Sequence, residues 1–145
     1  MSNIRFIYQA GEIVQEREIV TREIFQFLKN HIDLPDYIEI AFANIHESVY
    51  GATHLNSRFK NRITINSTLT YNEIPPVLVH EFIHLNQIKM GRLSGMSNGM
   101  YKWDNKIYNI KNYPNYDELP WEVDVVNRQH NLLVKTYQHF APPQT

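Results

Sequence analysis

The segment VLVHEFIHLNQ, residues 77 to 87, sets a narrow condition on the fold. It places His80, Glu81 and His84 inside a run whose other members are mostly apolar. Pro75 and Pro76 precede it, and proline is tolerated in a first helical turn, where amide hydrogens have no intrahelical partner. Gly91 follows, a residue suited to the position just past a helix, with Lys89 in the last turn. The pattern predicts a helix from Pro75 to about Gly91, packed through Leu78, Phe82, Leu85 and Ile88.

Any fold that buries this helix must also accommodate Glu81, flanked by Leu78, Val79, Phe82 and Ile83. An unpaired buried carboxylate is costly unless something cationic compensates it. Residues four apart on a helix differ by about 40° in direction, so His80 and His84 project from one face on adjacent turns. Imidazoles so placed can close on one ion at about 2.0–2.1 Å, the usual zinc–nitrogen distance. Glu81 points about 100° away from His80, outside the two-histidine bite but placed to act on a water at the metal. Two ligands and a general base on one helix are the mechanical content of the H-E-x-x-H motif. Histidines at this spacing also occur as surface or satisfied core residues. The cost of Glu81 argues against that reading.

Composition removes most other chemistries. The chain has no cysteine, which excludes disulfides, thiolate zinc sites, iron–sulfur clusters and cysteine nucleophiles. Its formal net charge is −1, so no bulk field favours nucleic acid or an anionic membrane. The N-terminus lacks the pattern of a signal peptide, and no apolar run reaches the roughly 18 residues needed to span a bilayer. The expectation is a cytoplasmic protein, one domain over residues 1–145, with 43% hydrophobic residues to build a core.

Periodicity supplies the surroundings of the helix. NIRFIYQ (3–9) reads as a strand, and Glu12 to about His31 as a helix with Ile13, Val20, Ile24, Phe27 and Leu28 on its apolar face. Arg17 falls on that same face. DYIEIAF (36–42), SVYGATHL (48–55) and NRITINS (61–67) read as strands. Beyond Gly91, Asn98-Gly99 and Asp104-Asn105 are hairpin turn pairs, with MYKW and KIYNI as the strands. Pro120 opens a last helix running to about Phe140. The order β-α-β-β-β-α-hairpin-α predicts an α+β domain: N-terminal helix, small mixed sheet, H-E-x-x-H helix, hairpin and C-terminal helix.

A catalytic zinc takes three protein ligands and leaves a fourth position open. After His84 no further histidine fits the extended H-E-x-x-H-x-x-G-x-x-H pattern, so the metzincin reading fails. Downstream candidates are His130, His139, and the acids Asp117, Glu118, Glu122 and Asp124 of YDELPWEVDVV. Glu122 lies near the start of the helix opened by Pro120, with Val125, Val126, Leu132 and Leu133 continuing an apolar face. That position favours Glu122, with Asp124, Glu118 and His130 as alternatives. Asp117 and Glu118 equally suit the dipole at a helix start.

HEFIH followed by PWEVDVV resembles the gluzincin clan of metallopeptidases, especially its minimal single-domain members, over residues 60 to 130. There the second helix carries a glutamate ligand in a short E-x-E-A-(D/N) type segment. Matched residue by residue, Glu122 takes the ligand position and Asp124 the second acidic one, while Val125 and Val126 replace the small and polar residues. The resemblance implies a zincin-like fold and a Zn2+ cofactor held by His80, His84 and Glu122. It implies a catalytic Glu81 and a peptide or protein substrate; the net charge and the lack of a long apolar run predict neither nucleic acid nor a membrane as partner. NRITINS resembles the edge strand that in zincins lies above the cleft and pairs with an extended substrate, and it reads equally as an ordinary sheet strand. Tyr101, Tyr108, Tyr113 and Tyr116 fall between the two metal-binding segments, where a phenol can serve an oxyanion or simply pack a hairpin. The rival function is a zincin-like binding or regulatory module that keeps zinc without proteolysis. A SprT-like role on DNA-bound proteins fits poorly, for lack of a zinc ribbon and of basic excess.

Overall fold

The architecture follows from where the chain can bury β-branched and aromatic residues. The computed structural model describes residues 3–8, 15–55 and 61–140. Strand β1 (Asn3–Tyr8) is followed by helix α1 (Gln15–Lys29) and strand β2 (Tyr37–Ala43). Then come β3 (Gly51–Thr53), β4 (Arg62–Asn66) and the long helix α2 (Ile74–Lys89). Strands β5 (Leu93–Gly95), β6 (Met100–Trp103) and β7 (Lys106–Asn109) lead to helix α3 (Pro120–Phe140). The α+β arrangement with a mixed sheet, motif-bearing helix, hairpin and C-terminal helix is zincin-like, as expected. Ile13, counted in the apolar face of α1, lies outside the described residues. No described helix is long and apolar enough to cross a membrane.

The first sheet has the order β1-β2-β4-β3, parallel through β4 and antiparallel at β3. This corrects one expectation. The segment NRITINS is no edge strand, because β4 pairs with β2 on one side and β3 on the other. Ile63 and Ile65 of β4 are fully buried, packed through the sheet face into the core. The edges are β1 and the three residues of β3, the latter much shorter than the SVYGATHL segment implied; short edge strands limit unwanted pairing.

Helix α2 is apolar nearly all round, as a helix enclosed by its neighbours must be. Leu78, Val79, Phe82, Ile83 and Leu85 have no exposed surface, packed among α1, the sheet and α3. Its end is a Schellman motif: Gly91 has φ +73°, its amide donates to Ile88, and that of Arg92 donates to Gln87. Arg17 is tolerated on the apolar side of α1 because its guanidinium donates to the carbonyls of Ser67 (2.7 Å) and Leu69 (3.2 Å).

The hairpin turns form where expected, with positive φ at Asn98, Gly99, Asp104 and Asn105. Strand β5 adds a third member to the predicted pair. Leu93 and Trp103 of this small sheet pack against Leu119 and Trp121, fixing the start of α3 against the end of α2. Val126, assigned above to the apolar face of α3, is instead 52% exposed; Val125 and Leu132 are buried.

Candidate metal centre

His80 and His84 lie on adjacent turns of α2, and Glu122 faces them from the first turn of α3. His80 Nε2 is 3.3 Å from Glu122 Oε1, and His84 Nε2 is 3.0 Å from Glu122 Oε2. One ligand atom from each residue falls within 4.8 Å of the others, a spacing that lets all three reach one ion. His84 and Glu122 are buried, while His80 is half-exposed and gives the cluster an open side. Two neutral nitrogens and a carboxylate are a donor set that suits zinc.

Two glutamines orient the imidazoles, and sequence reasoning missed both. Gln87 donates through Nε2 to the Trp121 carbonyl and to Asp124, both at 2.9 Å. Those acceptors fix the amide so that its Oε1 faces His84 Nδ1 at 2.8 Å. With its proton held on Nδ1, neutral His84 would keep the Nε2 lone pair for a metal at the centre. Gln129 does the same for His80, with Oε1 2.9 Å from Nδ1. The signal was present in the spacing: Gln87 is three residues beyond His84, and Gln129 seven beyond Glu122, each on the same helical face as its reference residue.

Electrostatics in the metal-free arrangement reflect this crowding. Burial favours neutral imidazole, yet the Glu122 carboxylate outweighs it, lifting His80 to about 9 and raising His84 as well. Burial likewise opposes ionisation of Glu122, but the bonds from His80 and His84 pull it down to about 2. Protons on the two imidazoles thus stand where a metal cation would neutralise the same carboxylate.

Glu81 is buried beside the triad, and burial raises its pKa. Its Oε1 accepts from the Thr53 hydroxyl at 2.8 Å, which ties the helix to the edge strand β3. Gly51 makes that approach possible. A Cβ there would lie 2.8 Å from Val77 Cγ1 and 3.4 Å from Glu81 Cγ. Neither Gly51 nor Thr53 was a candidate from the sequence, because only the folded sheet brings β3 onto α2.

The remaining candidates separate cleanly. Tyr116 donates its hydroxyl to Glu122 Oε2 at 2.9 Å, and burial with the nearby carboxylate raises its pKa. Tyr101 and Tyr108 pack on Trp121, and Tyr113 on Tyr108. Asp124 stands behind the site, accepting from Gln87 and Arg128. Asp117 and Glu118 are exposed in the turn before α3, and Glu118 bonds Asn115. His130 is exposed, and His139 stacks on Phe27.

No family model, curated protein or solved structure matches the chain. The site therefore stands on its own geometry. His80-Glu81-x-x-His84 and the downstream Glu122 form a zinc-binding triad of the gluzincin type, with Glu81 beside it, the arrangement of a zinc-dependent hydrolytic active site.

Proposed function

We propose that this chain is a cytoplasmic zinc metallopeptidase built as a single zincin-like domain over residues 1–145. The observation that carries the reading is the convergence of His80, His84 and Glu122 from two helices, with Glu81 buried alongside. His80, His84 and Glu122 would hold the metal. When bound, zinc supplies Lewis-acid polarisation of the substrate carbonyl and makes water a competent nucleophile near neutral pH.

The chain's own residues do the rest. Thr53 occupies Oε1 of Glu81, leaving Oε2 to take a proton from the attacking water. Glu81 then delivers that proton to the leaving amine as the C–N bond breaks. Its raised pKa suits a group that must both accept and release a proton. Tyr116 stands at the mouth of the site, where its hydroxyl can leave Glu122 and donate to a developing oxyanion. A module that only binds zinc has no use for a base beside the metal, and Glu81 therefore weighs toward the enzyme.

The experiment compares the parent with Glu81→Gln, both zinc-loaded, on a broad peptide mixture, following new termini by mass spectrometry. The variant keeps zinc and fold but loses about 10²–10⁴-fold in cleavage rate. Equal cleavage by both proteins rules Glu81 out as the base. Absence of cleavage by both favours the binding module.

A further inference from the structure

The metal cluster sits at the waist of a two-lobed groove. One lobe, about 790 Å³, is walled by Val49, Tyr50, Pro76 and Val77. The other, about 430 Å³, is lined by Leu55, Tyr101, Ile110 and Tyr113 over a floor of Leu119 and Trp121. Gly51, Ala52, His80, Glu81 and Tyr116 border both lobes, so a ligand crossing from one to the other passes over the centre. Each volume falls in the range of roughly 300–1,000 Å³ seen for ligand sites.

Strand β3 runs along this waist with half of its main chain facing outward. His54 donates to the Arg62 carbonyl and Asn66 to that of Tyr50, while Ala52 lies opposite Thr64 between them. In an antiparallel ladder the alternate residues, Gly51 and Thr53, therefore direct their amide and carbonyl away from β4. An extended main chain is the partner that such groups recognise. Side chains of that partner would alternate into and out of the groove.

The charge of the lining narrows the class further. Among the described residues, no lysine or arginine lines either lobe. Outside the triad and Glu81, the only carboxylate among the described lining residues is that of Glu73, and its Oε1 accepts from the Thr70 amide and hydroxyl at 2.8 Å each. A charged side chain entering either lobe would lose its hydration without finding an opposite charge among the described lining residues outside the metal centre.

Building on the hydrolase reading, we infer that the substrate is an extended peptide whose scissile bond has an uncharged, bulky apolar side chain on each flank, one per lobe. The aromatic lobe and the aliphatic lobe thus serve opposite sides of the bond.

Trp121 gives a readout that needs no turnover, because it floors one lobe while Trp103 is buried under Arg92 on β6. Zinc-loaded Glu81→Gln is titrated with a synthetic peptide carrying leucine and phenylalanine about its central bond, and with versions carrying aspartate or lysine there. Tryptophan emission should change with the apolar peptide and not with the charged ones. In the parent, a charge at either flank should lower kcat/KM at least about 100-fold. Val49 and Ile110 are 38% and 37% exposed, so lysine is tolerated at both. Val49→Lys should admit an acidic residue on one flank only, and Ile110→Lys on the other only. Both variants changing the same flank, or cleavage of the parent substrate class at charged flanks, overturns the inference while leaving the hydrolase reading intact. Selective binding of the apolar peptide to Glu81→Gln, with no cleavage by the parent, supports the ligand class and overturns the hydrolase reading.

Discussion

Glu39 on β2 and Glu122 on α3 are both buried carboxylates, 8% and 3% exposed. Each accepts a tyrosine hydroxyl at 2.9 Å, from Tyr37 and Tyr116 respectively. Each also meets two basic side chains. Glu39 has Arg62 at 2.9 Å and Arg5 at 3.7 Å, while Glu122 has His84 at 3.0 Å and His80 at 3.3 Å. The difference lies in the bases. A guanidinium is permanently charged and has no lone pair to offer, so the Glu39 cluster is complete as it stands. An imidazole can exchange its proton for a metal ion, and the Glu122 cluster opens onto a groove through His80. A buried acid alone therefore marks nothing; the identity of its partners separates a sheet clamp from a metal centre.

The largest expected effect tests that distinction directly. Zinc at about a thousand times its dissociation constant should stabilise the protein by about 4 kcal/mol, read as a rise in melting temperature. Glu122→Ala or His84→Ala should abolish the rise, and Glu39→Gln should leave it in place. A zinc response that depends on Glu39 would break the comparison.

Next in size are the orienting amides. Gln87→Leu removes the acceptor for His84 Nδ1 and should weaken zinc about 10–100-fold in competition with a chelator. Asp124→Ala, which removes one of the two acceptors that hold Gln87, should cost less. On the Glu39 side, Arg62→Ala should lower stability by about 2 kcal/mol without changing zinc affinity, since Tyr37 and Arg5 remain.

Smallest is the response to pH, where the Glu122 cluster has an alkaline arm that the Glu39 cluster lacks. In metal-free protein, His80 is raised from 6.5 to about 9, so its contribution is complete below pH 6.5 and is lost as pH rises through about 9. That alkaline loss should be on the order of 1 kcal/mol once solvent screening is allowed for, and zinc should remove it by replacing the proton. For Glu39, burial opposes ionisation but bonds from Tyr37 and Arg62 lower its pKa below 4.5. Its contribution is present above pH 4.5 and is lost only on acidification through the lowered value. Denaturant titrations of the metal-free and zinc-loaded protein at pH 6, 7.5 and 9 check the alkaline arm.

Much of this was legible in the residues themselves. The helix holding His80, Glu81 and His84, its glycine stop, the two asparagine-containing turns and the Pro120 helix start all depend on local backbone preference and periodicity. Such signals act over one to four neighbours, so the chain carries them without knowing its fold. Glu122 was reachable by the same means, because its place in a first helical turn is local.

What tertiary structure decided is every relation between distant segments. It put β3 rather than β4 at the sheet edge, since strand order depends on which surfaces can be covered and not on the pattern within one strand. It brought Thr53 onto Glu81 across the gap that Gly51 leaves, singled out Tyr116 among four tyrosines, and set Gln129 behind His80. Alternation and helical spacing fix which face a side chain occupies. Only packing fixes what that face meets, because close approach is settled by the shapes of two surfaces at once.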